Sequence, residues 1–265
     1  FPTENGLVSL SDKTDLKGFA KKLAVMAQSD NITVESVGGM LNDVYLISAQ
    51  GNGAGTKVLA KRFKDWSGFK WFPLTLWSFG ARSFSVAGQA RLAKECAISE
   101  VLRNAGFNVP KILQVSNAER LVFMEFIEGE NLSQAVKQIA TAKPEEANEK
   151  ELNLICSVGK TMARVHEIDI SLGDTKPDNV LVKPDGTIFL IDFEQATRGG
   201  DKAWDIAVFL YYCGHYLQQF DSNAKAEAIA KAFIEGYLRG GGDVENVRKA
   251  GSPKYRRVFS IFTLP

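Results

Sequence analysis

Histidine is almost missing from this chain, with only His166 and His215 in 265 residues. That shortage disfavours a histidine-rich metal centre and a Ser-His-Asp hydrolase. Cysteine is scarce too. Cys96, Cys156 and Cys213 lie far apart with no C-x-x-C pair, which argues against a disulfide frame or zinc site and for reduced thiols in a cytoplasmic setting. Long hydrophobic runs are absent. The most apolar uncharged stretch, Trp71–Ala81, has 11 residues and is too short to span a bilayer. Phe1 to Asn31 alternates polar and apolar residues, so no signal peptide is expected there. Neither sign of charge dominates: the net charge of +1 gives no overall preference for a polyanion. No internal repeat or low-complexity tract breaks the chain.

What is present is ordinary for a globular protein, with 45% apolar and 24% charged residues, in a chain long enough for one large core or two lobes. After Asp12 and Asp15, Leu16, Phe19, Leu23 and Met26 recur at helical spacing, predicting a helix from about Asp15 to Gln28. Strands are expected over Ile32–Val37, Val44–Ser48 and Lys57–Phe63, with Gly38-Gly39 inside the first connection and a flexible loop at Gly51–Gly55. A helix from about Gln89 to Asn104 ends at Gly106, with Pro110 beyond it. Two more strands, Val109–Val115 and Leu121–Phe126, flank a turn at Asn117–Arg120. The remainder reads as helical, with helices from near Asn131, over Glu149–His166, Trp204–Leu217 and Ala224–Arg239. Gly240-Gly241-Gly242 breaks the last of these before a basic tail.

One hairpin interrupts that helical half. In GDTKPDNVLVKPDGTIFLIDFE, from Gly173 to Glu194, two apolar runs flank the turn Lys183–Gly186. Asp174 and Asp192 are acids at strand ends, and a carboxylate there is costly without a metal ion or a lysine as partner. Lys61, on a predicted strand, and Glu95, on a predicted helix, precede them. Glu95 lies three residues before Ile98 and seven before Leu102, bordering the buried stripe, whereas Glu100 is expected to face solvent. Phosphoryl transfer from ATP requires such a set: a lysine neutralising phosphate oxygens and held by a glutamate, Asp and Asn groups for Mg²⁺, and an Asp aligning the attacking hydroxyl.

The chain resembles the protein-kinase-like superfamily over roughly residues 32 to 217. VLAK (Val58–Lys61) looks like the strand-lysine motif, GDTKPDN (Gly173–Asn179) like the catalytic loop, IDFE (Ile191–Glu194) like the metal-binding DFG motif, and FMEFIEG (Phe123–Gly129) like the hinge. Twelve residues separate Asp192 from Asp205 by difference, with no A-P-E motif between, so the usual peptide-docking segment is missing. That leaves the compact branches: RIO-type kinases, KEOPS-complex kinases and aminoglycoside-phosphotransferase-like small-molecule kinases. The short spacing from His166 to Asp174 is more similar to the first two.

The resemblance implies an α+β, two-lobed fold. Residues 1–126 would form a β-rich N-terminal lobe and 127–265 a helical C-terminal lobe. It implies ATP with Mg²⁺ or Mn²⁺. Asp174 and Lys176 would be catalytic, and Asn179 and Asp192 would hold the metal. Gly38, Gly39, Lys61, Glu95, Glu125 and Ile127 would bind nucleotide. The activity implied is that of an atypical Ser/Thr protein kinase or ATPase. The alternatives are a small-molecule kinase of the aminoglycoside or choline phosphotransferase type, and a non-catalytic nucleotide-binding scaffold. The acceptor would be a protein or small-molecule hydroxyl.

Three departures stand out: Leu172 replaces a frequent His, Glu194 replaces the DFG glycine, and Lys176 is present where KEOPS kinases usually lack it. His166 is expected to bond near the catalytic loop, and Asp205 to accept its backbone N–H groups. From Lys57 to Arg103, nine Lys/Arg face three Asp/Glu, alongside Trp66, Trp71 and Trp77. This segment is either a packed flap or a surface for a protein partner or an RNA-associated complex.

Overall fold

A computed structural model describes residues 2–3, 6–7, 14–29, 31–38, 42–50, 55–65, 87–142, 148–217 and 222–255. Gly39, Arg256, Arg257 and the whole aromatic segment 66–79 lie outside the described residues.

Helix α1 (Leu16–Ala27) starts where Asp15 accepts the amide of Gly18 at 2.7 Å. It is followed by β1 (Asn31–Gly38), β2 (Asn42–Gln50) and β3 (Thr56–Phe63), then α2 (Gly88–Asn104), β4 (Ile112–Ser116) and β5 (Leu121–Glu125). These strands form a five-stranded antiparallel sheet in the order β1-β2-β3-β5-β4. Successive side chains of a strand face opposite sides. So Val58 and Ala60 join Phe19, Leu23, Ile47 and Phe123 under α1, while Phe63, Val122 and Met124 pack on Leu92 and Cys96 of α2. The Phe19 and Phe123 rings stack 3.9 Å apart.

The chain then runs through β6 (Glu130–Asn131), α3 (Leu132–Thr141), α4 (Glu149–Glu167), β7 (Ile170–Ser171), β8 (Val180–Val182), β9 (Ile188–Leu190), β10 (Thr197–Arg198), α5 (Lys202–His215), α6 (Ser222–Arg239) and α7 (Val244–Ala250). β8 and β9 are the predicted hairpin, extended by β6 into a three-stranded sheet. α4 and α6 pack almost backbone to backbone: a Cβ at Gly236 would stand 1.9 Å from the Cys156 carbonyl oxygen. Ile155, Val158, Met162, Phe209 and Phe233 fill the core between these helices.

This mixed α+β, two-lobed kinase-like architecture is the fold class expected from the sequence. One expectation changes. The basic tail after the triglycine contains helix α7, whose Asp243 caps Glu245 N at 2.8 Å, and its Arg248 and Lys249 belong to the last turn of that helix. Asp243 is an N-cap residue directly after the glycines, a start signal that the tail's positive charge obscures. Beyond α7, Tyr255 is buried against Trp204 and donates its hydroxyl to Asp201 Oδ2 at 2.5 Å. No helix among the described residues is long and apolar enough to cross a membrane.

Candidate active site

Strand alternation decides where Lys61 points. It lies one residue past Ala60, so it shares the α2 side with Leu59 and Phe63. α2 presents Arg91, Glu95, Ile98 and Leu102 along one buried stripe, and Glu100 faces solvent. Lys61 Nζ meets Glu95 Oε2 at 3.3 Å, Asp192 Oδ1 at 2.8 Å and Glu194 Oε2 at 3.2 Å. Glu95 Oε2 also accepts the Phe193 amide at 2.9 Å, so one carboxylate ties β3 to the segment after β9. Asp192 itself has φ +67°, in the left-handed region that non-glycine residues rarely adopt.

Burial and charge compete throughout this cluster. Burial works against the Lys61 ammonium, but the Asp192, Glu95 and Glu194 carboxylates outweigh it and hold Lys61 well above its ordinary range. Burial pushes Glu95 up to about 7, with Lys61 opposing the shift and the neighbouring carboxylates adding to it. Burial also works to raise Asp192, but Lys61 dominates and keeps its carboxyl below the usual range. Glu95, Asp192 and Glu194 each bring a carboxylate oxygen within 4.8 Å of the others, a spacing that suits a metal ion. Lys61 bonds all three, so here an ammonium is already their cation.

A second group sits on the loop between β7 and β8. Asp205, wholly buried in the first turn of α5, accepts Leu172 N at 2.6 Å and Gly173 N at 2.7 Å. Thr175 Oγ1 donates to the Asp205 carbonyl at 2.6 Å, and Trp204 Nε1 donates to Gly173 O at 2.9 Å. The loop therefore hangs from α5. His166, in the last turn of α4, meets Asp205 Oδ2 at 3.1 Å and the Tyr237 hydroxyl at 2.8 Å. An imidazole thus reaches the Asp205 support from the preceding helix, although Leu172 occupies the position where the resemblance leads one to expect His.

On the same loop, Lys176 Nζ lies 2.7 Å from Asp174 Oδ2, and Asn179 Nδ2 donates to Asp174 O at 2.8 Å. Burial raises the Asp174 carboxyl, with Lys176 pulling the other way. Burial likewise works against the Lys176 ammonium, but Asp174 outweighs it and holds Lys176 above its ordinary range. Asp174, Asn179 and Asp192 border one small void of about 20 Å³, walled mostly by apolar side chains including Met162, Leu172 and Val180.

Sheet register relates the remaining candidates to Lys61. Gly38 pairs with Val44, and Val44 with Lys61, so Gly38 stands on the lysine's own rung two strands away, about 10 Å off. Its φ of +146° favours glycine, and no atom crowds the place of a Cβ. Glu125 pairs with Val58, three residues along β3 from Lys61, and its amide donates to Lys111 O at 2.8 Å. Ile127 is buried just beyond it.

Sequence reasoning missed two members of this site, Arg91 and Asn42, and noted Glu194 only as a departure. Arg91 NH1 donates to Glu194 Oε1 and to Asn42 Oδ1, both at 2.9 Å, and Asn42 Nδ2 donates to Glu194 Oε2 at 2.7 Å. A signal for Arg91 existed. It lies four residues before Glu95 on the same helical stripe, and an arginine on a buried stripe requires an acid opposite it.

Comparison with known proteins identifies the chain's relatives. A family profile described as the RIO domain matches residues 80–207. The KEOPS complex subunit Bud32 of Pyrococcus abyssi is 32% identical over 108 residues, which is 39% of this chain and 46% of that protein. The probable serine/threonine-protein kinase BUD32 homolog of Archaeoglobus fulgidus is 30% identical over 160 residues, covering 60% of this chain and 72% of that protein. The chain belongs to the RIO-type, Bud32-like family of atypical protein-kinase-like proteins. A probable bifunctional tRNA threonylcarbamoyladenosine biosynthesis protein of Methanobrevibacter smithii is 26% identical over 149 residues, 56% of this chain and 24% of that protein. The chain thus spans under half the length of the Pyrococcus relative and about a quarter of the Methanobrevibacter one. For a member of this family, the polar atoms around Lys61 and Asp174 are the candidate active site.

Proposed function

We propose that this protein is an ATP-dependent phosphotransferase, an atypical Ser/Thr protein kinase or ATPase, that moves the γ-phosphate to a hydroxyl or to water. The observation that carries this reading is the position of Asp192, bonded to Lys61 on one side and bordering the same small void as Asp174 and Asn179 on the other, close enough to Asp174 to act on its charge. A cation for phosphate, oxygen donors for a metal and a carboxylate for an acceptor proton therefore converge from distant parts of the chain.

The donor set fits magnesium. Asp192 supplies a carboxylate, and Asn179, with Nδ2 given to the Asp174 carbonyl, has Oδ1 to offer; hard oxygen ligands suit Mg²⁺. When bound, the metal supplies charge neutralisation along the phosphates. Lys61, held by Glu95, takes phosphate oxygens. Asp174 receives the acceptor's proton, a task helped by the rise in its pKa through burial. Lys176, beside Asp174, balances charge as it builds on the transferring group. The left-handed backbone at Gly38, with Gly39 after it, lets main-chain N–H groups approach the phosphates. Glu125 and Ile127 mark the adenine end, at the joint between a 1–126 lobe and a 127–265 lobe.

The names of two relatives extend the proposal to a protein complex concerned with tRNA, and the free cysteines extend it to a reducing, cytoplasmic setting. On composition alone, the basic, aromatic stretch within 57–103 is the part of the sequence we assign to that partner.

Purified protein incubated with Mg²⁺ and radiolabelled ATP, alongside Asp174→Ala and a metabolite panel, tests the reading. Label on protein, or free phosphate, lost in the variant, is the expected result. Label on one metabolite would make the protein a small-molecule kinase. ATP binding with no turnover in any arm would leave a nucleotide-binding scaffold.

A further inference from the structure

The phosphate-facing lysine carries one more anion than its assigned role requires. Glu95 and Asp192 suffice to hold Lys61, yet Glu194 Oε2 also lies 3.2 Å from its Nζ. Glu194 is buried and rigidly held: Oε1 accepts from Arg91 at 2.9 Å, and Oε2 from Asn42 at 2.7 Å. Arg91 is 0% exposed, bonds Asn42 as well, and donates to the Lys64 carbonyl. The ring joins β2, β3, α2 and the segment after β9. It sets Lys61 and Arg91 against Glu95, Asp192 and Glu194, so carboxylates outnumber cations where an anionic ligand is to bind.

We propose that Glu194 is a positioning residue that competes with nucleotide phosphate for Lys61, and that Arg91 and Asn42 set the strength of that competition by sharing its carboxylate. The inference rests on the nucleotide reading above and adds a sign to it. A third carboxylate on Lys61 weakens phosphate binding, because it occupies an ammonium donor and repels the incoming anion. Arg91 eases that effect by neutralising Glu194 from the other side. Loss of Arg91 leaves Lys61 as the carboxylate's only close cation in this ring and tightens its hold.

Two substitutions on one salt bridge should therefore move affinity in opposite directions. We would measure Mg-ATP dissociation constants calorimetrically for the wild type, Glu194→Gln, Arg91→Leu, Arg91→Lys and the double variant Arg91→Leu/Glu194→Leu, with thermal melts as a folding control. Glu194→Gln is expected to tighten ATP about tenfold, while Arg91→Leu weakens it about tenfold. Arg91→Lys should recover part of that loss, and the double variant should bind at least as tightly as wild type. A merely structural salt bridge would weaken binding in every variant, and Glu194→Gln binding ATP no more tightly than wild type would overturn the proposal. If Arg91→Leu does not fold, Glu194→Gln and the double variant decide the matter alone. Absence of Mg-ATP binding by the wild type would instead bring down the nucleotide reading, and this inference with it.

Discussion

The two charged groups of the site are built in opposite ways. Around Lys61, side chains from two strands, a helix and the segment after β9 meet in a buried network, and partners such as Lys61 and Asp192 lie 131 positions apart in the chain. Around Asp174, the partners Lys176 and Asn179 come from the same short loop, and the Asp174 and Lys176 side chains stay 28% and 30% exposed. The first group exists only once the fold is complete. The second is almost a local turn, and long-range structure enters it from beneath through Asp205. A buried ion network depends on each member, because loss of one strands a charge in low dielectric, whereas a partly solvated pair loses little.

Replacement of Asp192 should have the largest effect, since it is the one acid that bonds Lys61 and also lines the Asp174 cavity. Asp192→Ala is expected to lower metal-dependent turnover by at least about a thousandfold. Retained phosphate transfer in a labelled-ATP assay would break the link between the two groups. Next comes a matched pair of lysines. Lys61→Met leaves the buried Glu95 and Glu194 and the half-buried Asp192 facing one another and should cost about 3–5 kcal/mol, whereas Lys176→Met should cost no more than about 1 kcal/mol. Urea unfolding of both variants measures the difference directly, and equal losses would dissolve the contrast.

Asp205 asks how local the Asp174 loop really is. Asp205→Ala strips acceptors from Leu172 N, Gly173 N and His166 together, and a loss of about 3 kcal/mol is expected in the same unfolding experiment. The smallest effect lies at the outer end of α5. Burial works to raise the Asp201 carboxyl, but the Tyr255 hydroxyl, the Trp204 amide and Lys254 outweigh it and hold Asp201 below its ordinary value of 3.8. A depressed folded pKa contributes stability above the unfolded value and loses it as pH falls through the folded one. Asp201→Asn keeps a capping side chain, so it should cost under about 1 kcal/mol at pH 7, and the gap to wild type should close below about pH 4.

The elements themselves were largely legible before the fold. Period-2 and period-3.6 patterns placed the strands of the main sheet and the long helices within a few residues, because each buries one face and its residues must alternate accordingly. The hairpin carrying Asp192 was marked by Pro184 and Gly186 between apolar runs. Helix α7 gives only a weak sequence signal, since its seven residues offer no buried side chain and its Asp243 cap opens a basic tail.

Within the site, chain chemistry alone determined which residue types stand at Lys61, Glu95, Asp174, Asn179 and Asp192, because spacing in a strand, a helix and a tight turn dictates which side each one faces. Tertiary structure alone decided that Glu194, at a position where a glycine was expected, bends back onto Lys61, and that Arg91 and Asn42 meet it there. The Arg91 guanidinium and the Asn42 amide, 103 and 152 positions away along the chain, have no local pattern in common with it. Only burial, which makes an unpaired carboxylate too costly to keep, brings them together.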